Sequence, residues 1–513
     1  MKKIMNFRPL VMFALSLILS ICFATYILVS ENLKLIFFVI CILMFLCAVI
    51  VSIIFKRKFL VILSVVMLLF AIPIGQMYLK QKTYNKTSKY AFEEVVINGR
   101  ICENIKFTST GNLNITLDSI EIVGPNYRKT IDGRVSIYTN PSNYDLSLLE
   151  IGRFVSTFGK LNVYGLGYGV SDTLFYLSRD IVASSYVSYS SFEIKDKVSL
   201  SFAESVRKSV YQKLQSFDLE YADIGYAMMF GDSSTIDDDV VSAFRSTGIA
   251  HLLAVSGLHV SIIAMIISFI LKLLKSSNRT KFAVMSVLLV FYMYLCDFSV
   301  SVVRASIMTM ILLYLKTRGK CYDGLSALAF SAIVILLANP LKLYNVSFIL
   351  SFMAVLSIMI ISKSFETLFD KAFHKKMSST FALLFAVLVG LTFVQLYFFK
   401  KYSLFSIACN FVSVPVATIA FIILIIGTIV ASVLPFMTFV CLGYDYLMGL
   451  IVKFNYTVSK IGLVITINNL NFLIIVFGVI MMVLASNFVF VKKRYKAVGI
   501  SLFAIVSLIL LLV

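Results

Sequence analysis

Residues 248–260 read Gly-Ile-Ala-His-Leu-Leu-Ala-Val-Ser-Gly-Leu-His-Val and open an apolar run that reaches Leu274. Polar and small side chains inside a membrane-length segment need a partner, a water-filled cavity or a close backbone approach. His251 and His259 stand eight residues apart, about 12 Å along a straight helix. They share one metal ion only if the helix breaks, which Ser256-Gly257 permits. Histidines that line a polar interior or bond a neighbouring span are the better reading. Ser256 near a histidine also suggests a hydrolase, but there is no Gly-x-Ser-x-Gly elbow and no acidic partner. A second candidate is Arg304, in Ser-Val-Ser-Val-Val-Arg-Ala at 299–305. A guanidinium in the outer third of a span must face a cavity or a partner. Asp297, at similar depth, offers an ion pair; the alternative is a phosphate contact on an aqueous path. No Gly-x-x-x-x-Gly-Lys-Ser/Thr loop is present, so no ATPase is visible. The run Asp237-Asp238-Asp239 is read as a capped helix start and not as a cation site.

These residues have to be positioned by membrane helices. The chain has 513 residues, 60% of them hydrophobic and 14% charged, with a mean hydropathy of +0.94. That composition excludes a wholly soluble protein and defines a polytopic membrane protein. Apolar runs at about 9–30, 33–55 and 59–79 come first. Others follow at about 249–274, 281–297, 299–316, 323–339, 343–362, 379–399, 403–433, 437–460, 470–490 and 496–513, about 13 in all. The run at 403–433 is longer than one straight span needs. Asn410 and Pro415 near its start suggest a broken or re-entrant element. The net charge of +20 sits almost entirely in basic clusters assigned to cytoplasmic loops. It reports the positive-inside rule and not nucleic acid. This places the N-terminus inside and residues 80–247 outside. The eight cysteines form no CxxC or Cys/His cluster, so no metal or other cofactor is expected. Cys102 is alone in its soluble region and cannot close an internal disulfide.

The outer region changes character. From Glu93 to about Asp180 the sequence alternates and is rich in β-branched residues. Leu113, Ile115 and Leu117 share one face, and then the phase slips to Ile120 and Ile122, as at a bulge. Gly124-Pro125-Asn126 and Asn140-Pro141-Ser142-Asn143 mark turns. Five or six short strands suggest a small barrel or sandwich, with an OB-like fold the best match. Its charge is nearly balanced, 13 basic against 11 acidic side chains over residues 80–195. Candidate DNA contacts are Arg100, Lys106, Arg128, Lys129, Arg134 and Lys160. Tyr127, Tyr138, Tyr144, Phe154, Tyr164 and Tyr168 could stack bases, although packing is the commoner role of such side chains. From about 199 to 217 Leu200, Ala203, Val206, Val210, Leu214 and Phe217 fall on one helical face, with Glu204, Arg207, Lys208 and Lys213 largely off it. The chain thus divides into three spans (1–79), a β domain (80–195), an amphipathic helix with an acidic segment at the outer membrane surface (196–247) and a transmembrane module (248–513).

Several separated motifs resemble the ComEC-type competence proteins. They are Gly231-Asp232, the segment from Phe244 to His259, Ser301-Val302-Val303-Arg304-Ala305, Asn339-Pro340, Ser347-Phe348-Ile349-Leu350-Ser351-Phe352, and Asn410 with Pro415. The resemblance implies a channel that passes single-stranded DNA inward, with an OB-like domain outside. His251, Ser256, Gly257, His259, Asp297, Arg304, Asn339, Asn410 and Pro415 would then line or shape the path. It also implies partners: single-stranded DNA, membrane lipid, a DNA receptor and a cytosolic ATPase. Many family members carry a metallo-β-lactamase-like domain. This sequence has no His-x-His-x-Asp-His motif, so a nuclease is expected to be separate and the chain itself not an enzyme. The rival reading is a small-solute or ion transporter with His251, His259, Asp297 and Arg304 at its midplane.

Overall fold

Runs of this apolarity must satisfy every backbone hydrogen bond internally once they lie in hydrocarbon, and helices do so. The computed structural model describes residues 8–27, 30–55, 58–108, 111–140, 149–164, 170–187, 192–370, 375–403, 405–462, 464–466 and 478. Among these, eight helices are long and apolar enough to cross a membrane, and Gly257–Leu273 and Gly324–Ala338 are shorter apolar helices. The runs expected at 470–490 and 496–513 lie outside the described residues. The described chain forms two units, one from residues 9–208 with 332–345 and one from the remainder.

The first unit begins with α1 (Pro9–Tyr26), α2 (Glu31–Phe55) and α3 (Lys58–Thr87). Both α1 and α2 pack on α3, and the Ser16 hydroxyl of α1 donates to the Val66 carbonyl of α3 at 3.0 Å. Of the residues in α2 only Lys34 and Ser52 are buried. Its exposed Ile36, Val39, Leu43, Ile50 and Ile54 make a surface that water would not tolerate and lipid does.

The strands that follow are β1 (Glu94–Ile101), β2 (Lys106–Phe107), β3 (Leu113–Gly124), β4 (Tyr127–Ile131), β5 (Arg134–Thr139), β6 (Arg153–Val163), β7 (Ile181–Tyr186) and β8 (Phe192–Val198). A short helix, α4 (Val170–Ser178), lies between β6 and β7. Their order is β1-β3-β5-β7-β6, and β6 pairs again with β1, so five strands close into a ring. The pairing of β5 with β7 is parallel and the others are antiparallel. β2 and β4 extend from β3, and β8 from β6. The alternation read from sequence points Val95, Ile97, Ile115, Leu117, Val135, Ile137, Val155 and Leu161 inward, all buried. β3 alone buries Leu113, Ile115, Leu117, Ile120 and Ile122. A one-residue slip would turn these outward at about 1.5–3 kcal/mol each, which fixes the register. The expected bulge is present. The β1–β3 register shifts between Asn98 and Arg100, and Ser119 opposite takes φ 51°. β3 and β4 meet at the Pro125-Asn126 turn.

Helix α5 (Phe202–Gln215) realises the amphipathic pattern, with one difference. Glu204, read as off the apolar face, is buried at 7% exposure. It accepts the Ser201 backbone N–H at 2.7 Å and pairs with Arg100 at 2.9 Å. A helix cap and an ion pair together override the helical face.

The second unit contains α6 (Ala222–Phe230), α7 (Asp238–Ser246), α8 (Gly257–Leu273), α9 (Asn278–Leu295), α10 (Val300–Thr317), the start of α11 (Gly324–Ala338), α12 (Val346–Phe369), α13 (Lys375–Phe399), α14 (Ser406–Val433) and α15 (Phe439–Ser459). A small antiparallel pair joins β9 (Lys401–Ser403) to β10 (Val464–Thr466). Its core gathers Phe244, Leu252, Ile262, Phe421, Leu424, Tyr444 and Met448. Asp237 caps α7 by accepting the Asp239 N–H at 2.9 Å, as read from the acidic run. Two spans differ from expectation. The run at 249–274 is not one helix, because a 3-10 turn at Ala250–Leu253 precedes α8, which begins only at Gly257. The long run, in contrast, is unbroken: α14 continues through Pro415 for 28 residues.

Candidate functional site

The site grows from the start of α8. Ser256 is in an extended conformation at the N-cap, and its N–H donates to His259 Nδ1 at 3.2 Å. A side chain at the third helical position thereby satisfies the N-cap amide, with histidine in the place usually held by Glu or Gln. His259 is 1% exposed, and its ring lies 4.6 Å from that of Phe421 on α14. This histidine is a cap and a packing group. His251, on the preceding 3-10 turn, is exposed and faces the Gly248 backbone.

Gly257, the first residue of α8, lies against Arg304 of α10. A Cβ there would sit 2.7 Å from the Arg304 Nη2. Arg304 is 5% exposed. Its Nη1 donates to the Ser351 carbonyl of α12 at 2.7 Å, and its guanidinium lies 5.9 Å from the centre of the Phe352 ring. One turn back, the Ser301 and Ser347 hydroxyls are 3.2 Å apart. The two rungs advance in the same direction along both chains, so α10 and α12 run parallel there. Three motifs far apart in sequence therefore meet at one cation.

Among the described residues no carboxylate neutralises that cation. Among the described residues Arg304 has no ion pair, and its buried Nε has no hydrogen-bond partner; nor has the buried Ser351 Oγ. The Asp297–Arg304 pair does not form. Asp297 and Phe298 take φ of 50° and 46° in the turn before α10, and Asp297 is exposed. A charged hydrogen bond contributes about 1.5–3 kcal/mol and a cation–π contact about 0.5–2 kcal/mol. Against the several kcal/mol needed to desolvate an ion, these leave a cation with capacity to attract an anion.

A second cluster joins the other half of the opening motif to α14. Gly248 has φ 77°, and a Cβ on it would lie 2.8 Å from Ser406 Cβ. The Asn410 amide donates to the Ser406 carbonyl at 2.7 Å and reaches the Gly248 carbonyl at 3.4 Å. Pro415 lies further along the same helix, apart from both clusters. Asn339 belongs to the first unit, where its side chain accepts the Leu341 N–H at 3.1 Å and donates to Asp180 at 3.2 Å. The sequence reading did not assign Ser301, Ser347, Ser351 or Phe352 to Arg304. Their spacing held a signal: Ser301 and Arg304 at i,i+3 and Ser347 and Ser351 at i,i+4 each mark one helix face.

On the strand domain, four candidate DNA contacts are engaged by carboxylates. Arg100 Nε donates to Asp118 at 2.8 Å and Nη1 to Glu204. The hydrogen bond to Asp118 is foremost in raising the Arg100 pKa. Lys106 and Arg134 both pair with Glu103, and Arg128 pairs with Glu121. Lys129 and Lys160 are exposed, with no ion pair among the described residues.

Apolar helices of spanning length that enclose buried polar contacts define a polytopic membrane protein. A family model described as Competence protein matches residues 228–494, more than half of the chain, and the chain belongs to that family, the ComEC-type competence proteins. It is similar to ComE operon protein 3 of Bacillus subtilis (30% identity over 192 residues, 37% of this chain and 24% of that protein). It is also similar to Recombination protein 2 of Haemophilus influenzae (29% over 240 residues, 44% and 30% of the two chains). An uncharacterized protein of Aquifex aeolicus is 36% identical over 147 residues, 28% of this chain and 34% of that one. The matched segments thus cover about a quarter to a third of these relatives. No solved structure matches.

Proposed function

We propose that the chain forms the membrane passage through which single-stranded DNA enters during competence. The observation that carries this reading is the convergence, inside the family-matched region, of the Ser256-Gly257, Ser301–Arg304 and Ser347–Phe352 motifs on a buried guanidinium that has no carboxylate partner among the described residues. A polyanion crossing a low-dielectric interior needs fixed positive charge that is not already neutralised. Arg304, held by a carbonyl and an aromatic face, keeps its charge available. The separation of Asp297 from Arg304 disfavours the transporter reading, which needs both at one midplane site.

The surrounding organisation fits the same reading. About 13 spans with the N-terminus inside put residues 80–247 outside. The ring order β1-β3-β5-β7-β6-β1, with its parallel closing pair, supports an OB-like barrel in this outer region, α4 being inserted before the last strand of the ring. With no ATP-binding loop in the sequence, transport draws on a cytosolic ATPase, and duplex DNA is delivered by an outer receptor and reduced to one strand by a separate nuclease. The chain itself acts as a channel and not as an enzyme.

The test is uptake of end-labelled duplex DNA by a competent host deleted for this gene and complemented with wild type, Arg304→Lys or Arg304→Met. Nuclease-protected label and transformants are counted, with membrane abundance checked by immunoblot. The reading requires loss in the deletion, rescue by wild type, partial rescue by Arg304→Lys and none by Arg304→Met at equal abundance. Normal internalisation in the deletion strain would refute it.

A further inference from the structure

The strand domain carries a second feature that the four neutralised cations do not explain. One outward-facing row crosses the ring: Asn114 on β3 is in register with Tyr138 on β5, Tyr138 with Tyr186 on β7, and Tyr186 with Lys160 on β6. The Tyr138 and Tyr186 rings stack at 5.0 Å and 23°. Tyr138 is anchored from behind, its hydroxyl bonded to Tyr176. Tyr176 in turn stacks on Tyr164 at 4.6 Å and 5°, and the Tyr164 hydroxyl donates to Ser184 at 3.1 Å. Three tyrosines therefore hold a fourth, and that fourth, Tyr186, is 66% exposed. Beside it opens a groove of about 320 Å³ lined by Asn112, Tyr138, Thr139, Asn140, Tyr186 and Val187, at the lower end of small-ligand site volumes.

Exposing a rigid aromatic face in this way costs solvation unless something covers it. The groove offers one flat ring, amide and hydroxyl edges, and an exposed lysine one strand away that has no ion pair among the described residues. Lys160 Nζ lies 5.6 Å from the ring centre of exposed Phe92, so a cation stands beside a second aromatic, and the row continues onto β1, where exposed Glu94 is in register with Lys160. A flat π face with a cation about one sugar–phosphate step away matches a nucleotide of an unpaired strand. The base stacks and the backbone phosphate meets the lysine, with Asn112 and Asn140 bordering the base edge. A duplex cannot present its base faces to this surface.

We propose that the Tyr186 groove is a subsite for one nucleotide of single-stranded DNA, with the base on Tyr186, its edge toward Asn112 and Asn140, and a flanking phosphate at Lys160. The proposal rests on the DNA-handling reading above and places an unpaired base on the strand domain. Because stacking is blind to base identity, the site takes any sequence. Its contribution is to hold an unpaired strand against re-annealing, independently of Arg304.

The experiment uses the full-length chain in lipid nanodiscs. Fluorescence anisotropy measures its binding to a labelled oligo-dT and to an abasic oligomer of the same length and charge. Wild type should bind oligo-dT more tightly than the abasic strand. Tyr186→Ala should weaken oligo-dT binding between about fivefold and a hundredfold, the span for one stacked base, and leave abasic binding unchanged. Tyr186→Phe should restore it, and Lys160→Gln should reduce the salt slope by about 0.7. The proposal is overturned if the abasic strand binds as well as oligo-dT, if Tyr186→Ala binds normally, or if a chitin tetrasaccharide displaces the oligonucleotide, which would make this a sugar site. Tyr186 is exposed, so its loss leaves the barrel core intact. The two readings fail separately. Uptake that persists without the gene removes the channel and leaves the subsite standing, whereas gene-dependent uptake with normal Tyr186→Ala binding removes the subsite alone.

Discussion

Replacing Gly257 by alanine tests whether the Arg304 contact governs the packing of α8. The added Cβ would lie 2.7 Å from Nη2, where ordinary contact begins at 3.4 Å. The guanidinium must shift by about 0.7 Å to reach ordinary contact, and a shift of that size away from Ser351 takes its 2.7 Å bond beyond the roughly 3.2 Å limit of a useful hydrogen bond. Losing that bond costs about 1.5–3 kcal/mol. Alanine returns at most about 1 kcal/mol of helix propensity. The expected net destabilisation is about 0.5–2 kcal/mol. Arg304→Met removes both the clash and the bond, so alanine at 257 should cost nothing further in that background, and the two substitutions should be non-additive by at least about 0.5 kcal/mol. The assay is heat challenge of detergent-solubilised protein, with the monodisperse fraction read by gel filtration, and transformant counts in parallel. Additive effects, or a Gly257→Ala protein as heat-resistant as wild type, would refute the assignment of Gly257 to the guanidinium.

Gly248→Ala forces a left-handed residue at about 1–2 kcal/mol and adds the contact with Ser406 Cβ, so heat survival should fall by more than for Gly257→Ala. Arg100→Met leaves Asp118 and Glu204 without their shared cation and should lower barrel stability by about 2–4 kcal/mol. Limited proteolysis reads this as faster cleavage between residues 94 and 198, whereas Lys129→Met should change nothing. Glu103 is pushed upward by burial, but Lys106, Arg179 and Arg134 outweigh this and hold its pKa below the ordinary 4.5. Its contribution is therefore complete above about pH 4.5 and is lost as pH falls through the lower folded value. Proteolysis rates should rise on acidification below pH 4.5, and Glu103→Gln should flatten that part of the profile.

Local rules were legible wherever one segment decides the outcome. The phase slip after Leu117 became the bulge at Ser119, Gly124-Pro125-Asn126 became a hairpin turn, and Asp237 became a cap. Each depends on a few consecutive residues. The start of α8 was hidden because hydropathy averages across it. Only the Ser256–His259 exchange, three residues apart, marks where the helix begins. α14 was misread in the other direction, since one proline removes one hydrogen bond and neighbouring helices hold the rest. The partner of Arg304 needed knowledge of which helices meet. Asp297 was nearer in sequence, but left-handed backbone at Asp297 and Phe298 turns the chain away, and the carbonyl came from Ser351 on α12. Glu204 likewise answered to Arg100, over a hundred residues away.

The ring of strands is sealed by β6 returning to β1 and not by a covalent bridge, and the cysteine of this domain, Cys102, has its thiol pushed up to about 12, chiefly by burial. The domain can therefore mature without an oxidase. A thiol so reluctant to ionise also reacts slowly with maleimides, so the outer face of the barrel is chemically silent to them. Once the exposed Cys47 and Cys321 elsewhere in the chain are replaced, a cysteine introduced at Lys129 or Phe158 would be a selective attachment point for a dye or spin label on this domain. Motion and solvent exposure of this face could then be followed with Cys102 left in place.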